Sequence, residues 1–264
     1  LAEKVAAMGL DGVELPVRSG YPVNPENMLT ELPKAARTFE RYGLRIFSVA
    51  GNDDEATAAA CGAAGVPIIR VCKGIDLKRG YFASVEAIRS HWRALAPALA
   101  KHHVAIGLQN HCDRQIGSAV GLMQAIEGLD PKHFTAVLDL AHCALDGEPD
   151  LMAIDIAWSR LGMVNLKNGV RRRKAGSSPA EWTVDWVLGD EGFASWPVIV
   201  RELVRRGYNG PICLTAEYRD EAHGHIEGAA TDPRIAHDIA FVKRLLAEAE
   251  AGAAGAAAGA GGAG

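Results

Sequence analysis

Four short apolar runs in this chain each end in polar residues capable of chemistry. Val104-Ala105-Ile106-Gly107-Leu108 runs into Gln109-Asn110-His111. Phe134-Thr135-Ala136-Val137-Leu138 runs into Asp139, with His142 just beyond. Met163-Val164 runs into Asn165, Leu166 and Lys167, and Pro211-Ile212-Cys213-Leu214-Thr215-Ala216 runs into Glu217. A strand covered by helices on both faces reads as a continuous apolar run. Parallel sheets collect their functional groups where the strands end. The pattern predicts parallel strands that carry polar groups from distant stretches of chain to one rim.

The rest of the sequence has the same rhythm. Strand-like runs begin near Gly12, Leu44, Val66, Val104, Thr135, Gly162 and Pro211, with helical stretches between them. Leu1, Val5 and Met8 have helical spacing, with Gly9 as a stop. Val85, Ile88, Trp92, Leu95 and Leu99 form an apolar stripe, with Ser84 as the expected N-cap. Leu151, Ile154 and Trp158 form another. Asp232-Pro233 opens a last helix with Ile235, Ile239, Val242 and Leu246 on one face. Pro33 is expected to mark the first turn of the second helix. Strand and helix in alternation argue for a parallel sheet. Seven strands are countable and the chain opens inside a helix, so an eight-stranded barrel would need one more strand before Leu1. An open, doubly wound sheet is disfavoured, because no Gly-rich phosphate loop follows any strand. Residues 1–250 are expected to form the barrel domain. Residues 251–264, all Ala and Gly, form a low-complexity tail without fold information.

Composition excludes several functions. Of 264 residues 48% are hydrophobic, which suits a folded domain. No apolar run reaches the roughly 18 residues that cross a bilayer, so no membrane partner is expected. A net charge of −4 gives no pull toward nucleic acid. Five cysteines without C-x-x-C spacing read as thiols of a reducing compartment, and a cytoplasmic location is expected. No leader pattern is visible, although the chain opens on Leu1 rather than Met.

Several motifs, in order, carry a family resemblance. They are MGLDGVEL (Met8 to Leu15), LQNHCD (Leu108 to Asp113), VLDLAH (Val137 to His142), VNLKNG (Val164 to Gly169), and LGDEGF (Leu188 to Phe193) with RRGYNGPICLTAEY (Arg205 to Tyr218). Together they resemble the xylose isomerase-like TIM barrel superfamily, the sugar phosphate isomerase/epimerase group. The resemblance implies an α/β fold, a TIM (β/α)8-type barrel, here with strand one missing from the chain. It also implies a divalent cation, Mg²⁺ or Mn²⁺, held at the positions of Gln109, Asp139, Asn165 and Glu217. Two of these depart from the pattern: Gln109 stands where Glu is usual, and Asn165 where His is usual. Two carboxylates and two amide oxygens still suit a hard cation, but they bind it weakly or lose it.

The chemistry implied is removal of a proton beside a carbonyl, with the metal as Lewis acid and two carboxylates as acid and base. Gln109 cannot accept a proton, so Glu217 is the surviving carboxylate of the pair. His142 is the expected substitute for the other. Lys167 is expected to neutralise developing charge, and His111, Arg219 and Trp182 to contact the substrate. Plainer readings stand beside these. Asp139 could cap the following helix, His111 could hold a loop, and Glu14 could be structural. Arg171-Arg172-Arg173-Lys174 reads as a solvated loop or an anion trap, and the stretch from Asn168 to Phe193, with Trp182 and Trp186, as a lid. The expected partner is a small sugar or keto acid, with self-association through the gap left by the absent strand. A metal-dependent lyase or dehydratase, and a non-catalytic sugar-binding barrel with a degraded metal site, are the alternatives.

Overall fold

The apolar runs become strands, and the amphipathic stretches between them become helices. A computed structural model describes residues 1–220, 222 and 224–260. They fall into two units, Leu1–Leu138 with Ile156–Met163, and Asp139–Asp155 with the residues from Val164 onward.

The first unit runs α1 (Ala2–Ala7), β1 (Gly12–Pro16), α2 (Met28–Glu40), β2 (Arg45–Ala50), α3 (Glu55–Ala64), β3 (Ile68–Cys72), α4 (Tyr81–His102), β4 (Ala105–Gln109), α5 (Ala119–Ile126) and β5 (Phe134–Asp139), whose last residue opens the second unit. Successive strands are parallel, with Gly12 opposite Arg45, Ser48 opposite Ile68, Ile68 opposite Ala105 and Ile106 opposite Phe134. Ile69, Ile106, Leu108 and Ala136 are fully enclosed, as expected of strands covered on both faces. Local rules set the helix ends. The Asp54 side chain accepts from Thr57 N at 2.7 Å to start α3, and Gly65 ends it in a left-handed conformation. Trp92 of α4 packs on Phe134, with ring centres 5.8 Å apart, and its Nε1 donates to Asp53 at 2.7 Å.

The second unit contains α6 (Leu140–Leu145), most of α7 (Asp150–Ala157), the end of β6 (Leu161–Leu166), β7 (Asn168–Arg173), β8 (Trp182–Val187), α8 (Trp196–Arg205), β9 (Ile212–Leu214) and α9 (Asp232–Ala260). The end of β6 pairs in parallel with β9, Asn165 opposite Cys213. Among the described residues the seven parallel strands pair in the order β1-β2-β3-β4-β5-β6-β9. Trp196 of α8 stacks on Phe241 of α9, with ring centres 5.8 Å apart. Gly192 lies so close to the Asn168 side chain that a Cβ would sit 2.1 Å from Oδ1, and no other residue fits there without a shift. Of the Ala/Gly tail, the residues to Ala260 continue α9, and 261–264 lie outside the described residues. No helix among the described residues is long and apolar enough to cross a membrane.

Four local expectations need correction. Ser84 is not an N-cap. The helix starts a turn earlier behind Gly80, and the Ser84 hydroxyl donates back to Gly80 O at 2.8 Å. Pro33 is the sixth residue of α2, not in its first turn; Leu29, whose carbonyl loses its partner, is exposed, so water can replace the missing N–H. The buried face of α7 is Ala153, Ile154 and Ala157, leaving Leu151 exposed and Trp158 in a following 3-10 turn. The supposed loop after β6 is an antiparallel hairpin of β7 and β8, with Asn168 opposite Val187 and Arg173 opposite Trp182.

Glu14 is structural. Arg70 Nε donates to its two oxygens at 3.1 and 3.2 Å, and Ser48 Oγ donates at 2.8 Å. The Arg70 and Glu14 side chains are only 15% and 13% exposed. Removing one partner of such a pair leaves a buried charge uncompensated. Arg70→Met is expected to cost about 3–5 kcal/mol in urea unfolding, and the Glu14→Leu/Arg70→Met double variant clearly less.

Candidate functional site

The second unit gathers most of the expected residues. Asp139 ends β5 and the chain enters α6 at once, so His142 follows one turn later on the same side. Asp139 occupies the N-cap position, yet its side chain makes no capping hydrogen bond. Its Oδ2 instead lies 3.7 Å from His142 Nε2 and 3.8 Å from Lys167 Nζ, and all three side chains are buried. The capping reading of Asp139 therefore falls away.

Side chains alternate along β6, so Asn165 and Lys167 share a face that Leu166 does not. A lysine is almost never buried without partners. Lys167 is 5% exposed, and its Nζ lies 2.8 Å from Glu217 Oε2, 3.8 Å from Asp139 Oδ2 and 4.0 Å from the centre of the Trp186 ring. The last distance is within cation–π range. Trp186 also meets His142 edge-on at 5.3 Å. Asn165 Oδ1 is buried without a hydrogen-bond partner among the described residues.

Glu217 sits on the segment after β9 and is fixed from both sides. Ala216 before it takes a left-handed φ of 52°, uncommon outside glycine. Tyr218 after it is buried, and its hydroxyl donates to Asp238 Oδ2 at 2.8 Å. Asp238 Oδ1 accepts from Gly189 N at 2.9 Å, and Arg219 N donates to Trp186 O at 2.9 Å. Lys167, Glu217, Tyr218 and Asp238 border one narrow gap with no room for a water molecule. Burial pushes the Glu217 carboxyl upward, but the Lys167 ammonium outweighs it and holds the group below its ordinary value. Burial pushes the Asp238 carboxyl up, against the Gly189 N–H and the Tyr218 hydroxyl.

The other expected residues lie apart from this cluster or are described within the first unit. Gln109 ends β4 there, 4% exposed, and accepts from Cys72 Sγ at 3.4 Å. His111 follows β4: its Nδ1 lies 3.1 Å from both Cys112 O and Gln115 Nε2, and its N donates to Ile116 O. A cleft of about 290 Å³ at the ends of β1 to β3 is lined by Arg18, Asn52, Asp53, Arg70 and Lys73, but Lys73 and Arg70 are already paired with Asp53 and Glu14. In the second unit Trp182 is exposed, about 13 Å along β8 from Trp186 at strand spacing. The basic run lies on and just beyond β7, with Arg171, Arg172 and Lys174 paired to Asp146, Asp185 and Glu181. Sequence reasoning missed the roles of Trp186 and Asp238. The period-two pattern Trp182-Thr183-Val184-Asp185-Trp186 was a signal for the hairpin strand that presents Trp186; Asp238, on a helix, carried none.

The profile of the xylose isomerase-like TIM barrel family matches residues 2–245. None of the curated proteins matches the sequence. Among solved structures, 3-keto-D-glucoside 4-epimerase from E. coli aligns with a TM-score of 0.68 at 14% identity, covering 92% of each chain. D-psicose 3-epimerase in the presence of D-fructose aligns at 0.66 with 16% identity, covering 93% of this chain and 92% of that one. A xylose isomerase-like TIM barrel protein from Mycobacterium smegmatis in complex with magnesium aligns at 0.63 with 15% identity, covering 94% and 88%.

The second unit's donors do not fit a resident divalent cation as they stand. Mg²⁺ needs oxygens at about 2.0–2.1 Å in near-octahedral order. Asp139 and Glu217 supply the only carboxylates among the expected ligands, and the Lys167 ammonium already pairs with both. Asn165 adds only a neutral oxygen.

Asp238 gives a test of the clamp. Its folded-state pKa is raised, so the stability it contributes is present at acid pH and lost as pH rises through the raised value. Asp238→Asn can keep the bond from Gly189 N while the Tyr218 hydroxyl turns to accept. Urea unfolding from about pH 4 to 7 is expected to show a shallower loss of stability in the variant than in the parent protein.

Proposed function

The chain belongs to the xylose isomerase-like TIM barrel family, and from that premise we propose that it is a sugar isomerase or epimerase, moving a proton beside the carbonyl of a small hydroxylated substrate. The observation that carries this reading is the Glu217–Lys167 pair. The Glu217 side chain is 41% exposed while Lys167 is enclosed, so the carboxylate faces outward with its charge secured from behind. A base of this kind stays ionised at neutral pH and within reach of a bound molecule.

In the proposed step, Glu217 takes the proton from the carbon next to the carbonyl. The negative charge that develops on the carbonyl oxygen is offset through space by the Lys167 ammonium enclosed behind the carboxylate. His142, the sequence's candidate for the second acid–base role, is enclosed against Trp186 and beside Asp139, and its proposed part is to orient Asp139. One carboxylate suffices for isomerisation, where the proton leaves and returns on one face. Epimerisation needs a second donor on the other face. The E. coli structural neighbour is named for a 3-keto sugar epimerised at carbon 4, beside the keto group, which supports the same chemistry.

The test is exchange of solvent deuterium into a panel of ketoses, aldoses and keto sugars, followed by NMR. Exchange at the carbon next to the carbonyl is expected, and Glu217→Gln is expected to lower it by about a hundredfold or more. Exchange unchanged in that variant would remove Glu217 from the reaction. Loss of water from the substrate instead of exchange with turnover would move the chain to the dehydratase reading.

A further inference from the structure

We infer that the Lys167 ammonium is the resident cation of this site, in place of the divalent metal that the family resemblance implies, so that the protein works without a metal. The inference rests on the proposed reaction for its purpose and on the second unit's geometry for its content.

The argument starts from charge. Asp139, fully enclosed, and Glu217, with its side chain 41% exposed, bring two negative charges together, and Lys167 brings one positive charge within 3.8 and 2.8 Å of them. The cluster is then left with one net negative charge, close to balance for an exposed-edge carboxylate. A divalent ion bound by the same carboxylates would reverse that to one net positive, with the ion beside an ammonium that has nowhere to go. Lys167 is held by Trp186 on its other side, 4.0 Å from the ring centre, and its side chain is 4% exposed. Withdrawing it would strip its cation–π contact and both ion pairs while leaving the charge buried. A lysine at this point of the VNLKNG motif is part of the family resemblance. The departures are the amides Gln109 and Asn165, which remove a negative ligand and an imidazole from the expected set. With fewer donors for a metal, a single ammonium is enough.

The chemistry balances without a metal. The C–H bond next to the carbonyl breaks and its proton passes to Glu217. Its electron pair forms the new carbon–carbon double bond, and the carbonyl pair moves onto oxygen. The enclosed Lys167 ammonium, 2.8 Å behind the Glu217 carboxylate, offsets that charge through space. Return of the proton from Glu217 to the neighbouring carbon, with one hydroxyl proton relayed between the two oxygens, completes an isomerisation with no oxidant or reductant.

The experiment reads metal binding apart from turnover. The protein is dialysed against EDTA, analysed for metal, and titrated calorimetrically with Mn²⁺, beside Lys167→Met and Lys167→Gln. The parent protein is expected to bind no stoichiometric Mn²⁺, and at least one folded Lys167 variant to gain affinity by about tenfold or more, since an ammonium no longer competes for the carboxylates. Circular dichroism reports which variants fold, and the parent titration stands whether or not they do. Stoichiometric Mn²⁺ on the parent protein, or folded variants that gain no affinity, would overturn the inference. Turnover abolished by EDTA and restored by Mn²⁺ would overturn it as well. If no substrate in the panel turns over, the proposed function fails, and the metal titrations still decide the question of the cation.

Discussion

The second unit is arranged around one buried ammonium. Lys167 sits just past the end of β6, where strand alternation turns it to the same face as Asn165. Burying a charge there is tolerable only if opposite charge and polarisable surface are brought to it. Three separate stretches of chain do so: Asp139 from the end of β5, Glu217 from the segment after β9, and Trp186 from β8. These residues span about eighty positions of sequence, and nothing local holds them together. The requirement that Lys167 be partnered explains why the β7–β8 hairpin is folded against the unit rather than left as an open loop. It also explains why the residues flanking Glu217 are tied down.

Much of this was legible in the residues. The seven parallel strands were visible because strands covered on both faces need no polar alternation, and their apolar runs stand out. Asp139, Asn165, Lys167 and Glu217 were visible because each follows such a run. Errors came where a local signal had two meanings. Ser84 has the chemistry of an N-cap, but a hydroxyl inside a helix can bond back to the carbonyl four residues earlier, as it does to Gly80. Leu151 continues an apolar spacing that Ala153 and Ala157 actually satisfy, since small residues pack closely and carry little periodic signal. The basic run from Arg171 to Lys174 hid a strand, because charges on a solvent-facing ribbon look like a loop until their partners across the ladder are known.

The hydrogen-bond networks were the least legible part. Asp238 lies within an amphipathic helix, where an acid reads as one more solvated charge. Only the folded chain brings Gly189 N and the Tyr218 hydroxyl to its two oxygens. Likewise Glu14, at a strand end, reads equally well as structural or substrate-facing until Arg70 and Ser48 are seen to occupy it. Sequence spacing names residues that can do chemistry. It does not say which of them have already been spent on structure.

The two carboxylates on either side of Tyr218 make that distinction sharp. Both border the same narrow gap, and their environments push them in opposite directions. Environments that separate paired titratable groups assign them different tasks. Glu217 has its charge secured by Lys167 and a partly open side chain, which suits a base that must be ionised and reachable. Asp238 is 3% exposed, and each of its oxygens accepts a hydrogen bond from the chain, which suits a clamp. The clamp works on Glu217 through the adjacent backbone. Tyr218 is held by Asp238, Arg219 N is held by Trp186 O, and Ala216 accepts a left-handed turn that a free chain would avoid. The strain at Ala216 is sustained because both sides of Glu217 are fixed, and it is this fixed turn that keeps the carboxylate at Lys167 rather than in solvent.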